Sequence, residues 1–144
     1  MPASPDLLDA RGLAKTFGGL RAVDDLSFTV RTGEILGLLG PNGSGKTTVF
    51  NLIAGALAPD RGAVVFDGRD VTRFPPHRRA ALGIARTFQL NRALSGLTVL
   101  DNVLVARLYG RDRAPRIPKA RSGALECLQF CGLAALSARP AGTL

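Results

Sequence analysis

The chain has 144 residues and a formal net charge of +8, and 46% of its residues are hydrophobic while 21% are charged. These proportions are close to globular averages, which excludes a disordered tail or a fibrous repeat and favours a single domain. The longest apolar stretch, residues 35–39, is far shorter than the ~20 residues of a membrane helix, and the acidic, poorly apolar N-terminus does not match a signal peptide.

The first half of the chain alternates strand patterns with turn residues. Residues 7–17 and 26–30 show period-two alternation on either side of Gly18-Gly19, which predicts an antiparallel pair. Residues 34–39 predict a short strand buried on both faces of a parallel sheet. A helical spacing of apolar residues follows from residue 49 up to Pro59, and residues 63–66 predict a strand that turns at Asp67-Gly68.

The second half contains helical patterns. Pro75-Pro76 predicts the start of a short helix that ends at Gly83, and residues 84–88 predict an extended segment. Thr98, with Asp101 three residues later, predicts the capped start of a helix to about residue 109. A further helix is predicted over residues 120–131. Its Cys127 and Cys131 share one face and suit small core residues better than a disulfide or a metal site.

Positive charge is concentrated in the second half of the chain. Residues 1–72 hold seven basic and eight acidic side chains, whereas residues 73–144 hold twelve basic and three acidic ones. Aromatic side chains that could stack on bases are scarce there, and no RNA-recognition or zinc-finger pattern is present. Three interpretations stay open: a solvated basic face, a surface near anionic lipids or an acidic partner, and a nucleic-acid interface.

Residues 40–47 match the phosphate-loop pattern G-x-x-x-x-G-K-[ST] between a predicted buried strand and a predicted helix. Glycines leave room for backbone amides to converge on a triphosphate, and the helix start adds its partial positive charge. Lys46 is expected on the β and γ phosphates, and the Thr47 hydroxyl on Mg²⁺. The predicted ATP-binding residues of this loop are Gly40, Pro41, Asn42, Gly43, Ser44, Gly45, Lys46, Thr47 and Thr48.

The segments KTFGGLRAVDDLSF, GEILGLLGPNGSGKTTVFNLIAG, GIARTFQ and LTVLDNV occur in this order along the chain. In this combination the sequence resembles the ATP-binding subunits of ABC transporters, and among them most closely those of branched-chain amino acid importers. Related amide importers and lipopolysaccharide exporters are weaker fits. The resemblance implies an incomplete α/β phosphate-loop NTPase fold of the ABC type. Residues 1–90 would form an antiparallel β subdomain with the phosphate-loop core, and residues 91–144 the start of the helical subdomain.

The resemblance also implies roles for single residues. Phe17 stands where the family stacks an aromatic ring on adenine, and Val23 where a side chain packs beside the base or ribose; an ordinary place in the strand core is the alternative for both. Gln89 matches the glutamine that contacts Mg²⁺ and links the site to the helical subdomain. Lys46 and Gln89 would support catalysis, with ATP and Mg²⁺ as cofactors.

The signature motif, the acidic strand with its Asp-Glu pair and the switch histidine of the family have no match in this sequence. The chain is therefore expected to be an N-terminal part of a subunit, and whether it hydrolyses ATP stays open. The implied partners are permease subunits and a second ATP-binding subunit, without nucleic acid, at the cytoplasmic face of the membrane. The alternatives are a nucleotide-binding module without turnover and a basic phosphate-loop protein that binds nucleic acid.

Overall fold

The computed structural model describes residues 6–87, 93–110 and 116–143. The chain divides into two compact units, residues 1–79 and residues 80–144. The strands are β1 (Asp6–Phe17), β2 (Leu20–Arg31), β3 (Arg61–Phe66) and β4 (Arg69–Asp70). The helices are α1 (Lys46–Ala54), α2 (Pro76–Leu82), α3 (Val99–Tyr109) and α4 (Ile117–Phe130), followed by short 3₁₀ turns at Ala134–Leu136 and Ala141–Thr143.

The first unit is built on a four-stranded antiparallel sheet in the order β2-β1-β3-β4. The predicted pairing of the first two strands is confirmed, with Phe17 opposite Leu20 across the Gly18-Gly19 turn. The Asp67-Gly68 hairpin is confirmed as well. Both turn residues have positive φ, 49° and 71°, which is the backbone of the turn type that Asp-Gly favours. The buried side chains of this unit include Leu13, Leu52, Val64 and Val71, all of them fully enclosed.

The second unit holds a pair of packed helices. The predicted start of α3 is confirmed, because the Thr98 side chain accepts a hydrogen bond from the Asp101 amide at 3.0 Å. The α3 residues Val99 and Leu100 pack with Ala124 and Leu128 of α4 in one small core. Helix α4 begins at Ile117, three residues earlier than predicted, with proline in its first turn where the missing amide donor costs nothing.

The predicted strand over residues 34–39 is wrong. These residues form no strand, and the side chains of Ile35 and Leu39 are 98% and 93% exposed. A strand of this apolar type forms between parallel neighbours that cover both faces. Among the described residues every strand pairing is antiparallel, so the segment lacks the partners that its sequence requires.

Two further predictions are corrected. Helix α1 ends at Ala54 rather than near Pro59, because Gly55 adopts the left-handed conformation at φ 78° and its amide bonds back to Leu52 O at 3.3 Å. Cys127 and Cys131 are exposed rather than buried. The buried face of α4 follows Ala120, Ala124 and Leu128 at a spacing of four, and the cysteines lie off this row.

The remaining second-half predictions are tested in part. Helix α2 lies at the predicted place and ends before Gly83, whose φ is 111°. Residues 84–87 belong to no sheet, and Phe88 lies outside the described residues. None of the helices in the described parts of the chain combines the length and apolar character that a bilayer crossing requires.

Candidate functional site

The glycine-rich loop of residues 40–45 leads into α1, and its backbone depends on glycine at two positions. Gly43 and Gly45 have φ of 83° and 86°, a region that side chains rarely adopt. A Cβ atom at Gly45 would also collide with the Ala22 carbonyl oxygen of β2. At Gly40 a Cβ atom would come within 2.6 Å of Ser44 Oγ. The loop is therefore a tight backbone turn that packs on β2 at Gly45, where a larger residue has no room.

The N-terminus of α1 is prepared for a negatively charged ligand. Gly45 is the N-cap residue, so no side chain accepts the first amide hydrogens, and the first turn contains no acidic residue. Free amides and the positive end of the helix dipole together favour an anion. The amides of Lys46, Thr47 and Thr48 are the donors this geometry offers.

The Lys46 side chain folds back over the loop. Its ammonium group donates to Gly40 O at 2.7 Å, to Pro41 O at 2.6 Å and to Ser44 Oγ at 3.4 Å. These contacts hold a positive charge against the loop. Phosphate oxygens are stronger acceptors for an ammonium group than carbonyl oxygens, because the resulting hydrogen bonds are charge-assisted on both sides. The residues present therefore fit a polyphosphate.

The sheet register places Phe17 near this loop. The loop residue Gly45 packs against Ala22 and Val23 of β2, and Val23 lies opposite Lys15 of β1. Phe17 follows two residues further along β1, a step of about 7 Å in a strand. Its side chain is 45% exposed, whereas Val23 is only 6% exposed and belongs to the core. Phe17 is thus free to meet a ligand, and Val23 supports the loop from below.

A network around Phe17 gave no signal in the sequence. Asp60 Oδ1 accepts from Lys15 Nζ at 2.7 Å, and Asp60 Oδ2 accepts from the Thr16 amide at 2.7 Å. The Lys15 ammonium lies 5.7 Å from the centre of the Phe17 ring. The hydrogen bonds from Lys15 and Thr16 lower the pKa of Asp60 below its ordinary value. A carboxylate 43 residues away from Phe17 in the chain thereby fixes the end of β1.

Arg79 is a second residue that sequence reasoning missed. It is 1% exposed, and its guanidinium group donates to Leu52 O at 2.6 Å and Ile53 O at 2.7 Å, both in the last turn of α1. It also donates to Thr72 O at 2.8 Å and Phe74 O at 3.0 Å. Burial lowers the pKa of the Arg79 guanidinium, and the nearby Asp70 charge acts in the opposite direction. Arg79 thus ties the far end of the phosphate-loop helix to the segment after β4.

Gln89 lies outside the described residues, so its predicted contact with Mg²⁺ stays a prediction. The Thr47 side chain is exposed at the first turn of α1, where its hydroxyl is accessible to an ion. Among the described residues no group of three or more histidine, cysteine and acidic side chains is placed to hold a metal by itself. Mg²⁺ in nucleotide sites is bound through one or two protein oxygens together with phosphate oxygens and water, and the Thr47 hydroxyl is an oxygen of this kind.

Comparisons with known proteins identify the family to which the chain is similar. The family described as "ABC transporter" matches residues 23–144. A probable branched-chain amino acid transport ATP-binding protein of Archaeoglobus fulgidus is 45% identical over 69% of this chain and 39% of its own length. The high-affinity branched-chain amino acid transport ATP-binding protein BraF of Pseudomonas aeruginosa is 35% identical over 98% of this chain and 60% of its own length. A lipopolysaccharide export ATP-binding protein of Haemophilus influenzae is 40% identical over 76% of this chain and 46% of its own length.

Solved structures show the same fold. The ADP conformation of an ATP-binding cassette of an ABC transporter superposes with a TM-score of 0.79 at 34% identity, over 98% of this chain and 59% of that one. A dimeric bacterial ABC transporter cassette superposes with a TM-score of 0.79 at 25% identity, over 95% of this chain and 62% of that one. The chain thus has part of the fold of such cassettes and spans between 39% and 60% of the length of the curated relatives named above.

Proposed function

The chain belongs to the ABC transporter family, and we propose that it is the ATP-binding part of a transporter subunit that powers the import of branched-chain amino acids. The observation that carries this proposal is the loop of residues 40–45, with the Lys46 ammonium bonded to its carbonyl groups and the start of α1 without a side-chain cap directly after it. In this arrangement the amides and the ammonium bind the phosphates of ATP. Phe17 stacks on the adenine ring, a contact worth about 1–3 kcal/mol per base.

Mg²⁺ would be held by the Thr47 hydroxyl and the Gln89 side chain together with the phosphates. The ion neutralises charge on the β and γ phosphates when it is bound. The residues of this chain supply the phosphate cradle, the base contact and the first Mg²⁺ ligand. In this proposal residues 1–90 form the β subdomain and phosphate-loop core, and residues 91–144 the first part of a helical subdomain.

The proposed partners are a permease and a second ATP-binding subunit at the cytoplasmic face of the membrane. Family membership and the dimeric cassette among the structural relatives support this part of the proposal. Relatives named for branched-chain amino acid transport support import of these solutes, whereas the lipopolysaccharide export relative favours a different cargo. Disruption of the gene is expected to lower uptake of labelled leucine. Unchanged leucine uptake with impaired lipopolysaccharide export would assign the cargo to the export class instead.

Nucleotide binding is tested by titrating the chain with MgATP while its affinity is measured by calorimetry. We expect Lys46→Ala to abolish binding, because the variant loses the ammonium group that lies against the carbonyl groups of the loop. Lys119→Ala is the matched control, since Lys119 is an exposed lysine of α4. Equal ATP affinity of the wild type and Lys46→Ala would refute the phosphate site.

The same samples decide between turnover and simple binding. Steady-state phosphate release that Lys46→Ala abolishes would identify an ATPase, and ATP binding without release would identify a nucleotide-binding module. A nucleic-acid-binding protein would instead show an affinity for nucleic acid that falls steeply with salt.

A further inference from the structure

We propose that the ion pair between Lys15 and Asp60 positions the Phe17 ring for stacking on the base of ATP. Lys15 and Asp60 are then positioning residues that favour a nucleotide over polyphosphate alone. This inference rests on the proposed function and extends it to two residues outside the phosphate loop. It concerns the class of ligand that carries a flat heteroaromatic base, as distinct from polyphosphate alone.

Asp60 binds the three residues of β1 that lead to Phe17. Its own amide donates to Ala14 O at 2.9 Å. Its carboxylate accepts from the Thr16 amide at 2.7 Å and from Lys15 Nζ at 2.7 Å. One residue therefore fixes the backbone and a side chain of β1 immediately before the ring. Three contacts to consecutive residues hold this strand end more firmly than an isolated surface ion pair would.

The ion pair also places a cation against the ring. Lys15 and Phe17 are two residues apart in β1, and the Lys15 ammonium reaches the Phe17 ring although the pairing with β2 is irregular between Lys15 and Thr16. The Lys15 side chain is 18% exposed, and its ammonium lies 5.7 Å from the ring centre, within the range of a cation–π contact. A ring supported from one side keeps one orientation and presents its other side to a ligand.

The ring itself is not a core residue. Phe17 is 45% exposed, and its pairing partner Leu20 at the turn is 71% exposed, so the ring lies at the surface rather than in the core. The Lys15 ammonium contacts the ring directly, and Asp60 holds Lys15 and the backbone that precedes the ring. A Phe17 ring that is ordered before the ligand arrives lowers the entropy cost of binding. Only a ligand that contacts the ring gains affinity from this order. The pair should therefore affect ATP and leave the phosphate contacts unchanged.

The experiment measures the affinities of the full chain for MgATP and for magnesium tripolyphosphate, which has the phosphates but no base. Lys15→Met removes the charge at similar length, and Asp60→Asn removes the negative charge while it keeps an oxygen acceptor. Asp24→Asn is the matched control. Asp24 and Arg21 both lie on β2, and the Asp24 carboxylate accepts a hydrogen bond from Arg21 at 2.7 Å. The Asp24 side chain is 48% exposed, close to the 44% of Asp60. Far-UV circular dichroism confirms that each variant is folded.

We expect Lys15→Met and Asp60→Asn each to weaken MgATP binding by about three- to tenfold, while tripolyphosphate binding changes by less than about twofold. Asp24→Asn should change neither affinity. In the Phe17→Ala background, Lys15→Met should have no further effect on ATP, because the cation then has no ring to hold. This non-additivity distinguishes a positioning role from a general loss of stability.

Several outcomes would overturn the inference. Equal losses for ATP and tripolyphosphate would show that the pair only stabilises the fold, and unchanged ATP affinity in both variants would show that it has no role in selection. If Phe17→Ala leaves ATP affinity unchanged while Lys46→Ala abolishes it, the base contact fails and the phosphate site stands. If the wild type binds neither ligand, the proposed function fails together with this inference.

Discussion

Replacing Arg79 by alanine is expected to lower the free energy of unfolding by about 3–5 kcal/mol. The guanidinium group donates four hydrogen bonds of 2.6–3.0 Å to backbone carbonyls, and the side chain is 1% exposed. A buried acceptor left without its donor costs about 1–3 kcal/mol. Recovery of the desolvation cost of the guanidinium and entry of water into the space offset about half of the combined loss. The remaining effect is still large for a single substitution.

The assay is urea unfolding of the chain, followed by far-UV circular dichroism. Arg79→Lys keeps the charge but has three donors on a single nitrogen, so we expect about half the loss and a variant that remains folded enough to measure. Arg78→Ala is the matched control on the same helix. Arg78 is exposed and stacks on Phe74 at 5.9 Å, and its loss should cost less than ~1 kcal/mol. Equal midpoints for Arg79→Ala and Arg78→Ala would refute the reasoning.

Three further predictions concern other parts of the chain. Thr98→Ala removes the side chain that caps α3 and should lower the free energy of unfolding by about 1 kcal/mol in the same assay, whereas Thr143→Ala, at an exposed 3₁₀ turn, should leave it nearly unchanged. Because the pKa of Asp60 is lowered in the folded chain, its contribution to stability is present above the ordinary pKa of about 4 and is lost as the pH falls through the lowered pKa. Asp60→Asn should therefore make the free energy of unfolding fall less steeply as the pH is lowered below about 4. The same pH dependence in the variant and the wild type would contradict a stabilising role of the Asp60 carboxylate. Replacing the exposed Ile35 and Leu39 by lysine should reduce self-association in light scattering, and equal scattering would contradict a role for this segment.

Features set by neighbouring residues in the chain could be predicted from the sequence. The Asp67-Gly68 turn, the capped start of α3 and the glycine-rich loop each depend on the backbone preferences of a few adjacent residues. Such preferences act wherever the segment is placed. The pattern of residues 40–47 also identified the candidate site, because a loop that lets amides converge needs glycine at fixed spacing.

Features that depend on distant residues could not be predicted in this way. Arg79 is one of several arginines in a basic half, and only the fold shows that it meets carbonyl groups 26 and 27 residues earlier in the chain. The contact between Asp60 and Lys15 joins positions 45 residues apart. Cys127 and Cys131 have helical spacing, but which helix face becomes buried is decided by the helix packed against it.

The segment of residues 34–39 shows how a strand prediction can fail while the sequence pattern is sound. Its apolar composition is that of a strand between two parallel neighbours, and the described residues supply only antiparallel strands. The structural relatives extend well beyond the part that this chain matches, since the chain covers 59% of the cassette that superposes with it over 98% of this sequence. The contacts that hold the candidate phosphate loop lie outside such neighbours, because Gly45 packs on β2 and the Lys46 ammonium bonds to Gly40 O and Pro41 O of the loop itself. ATP affinity is therefore expected even where residues 34–39 remain exposed.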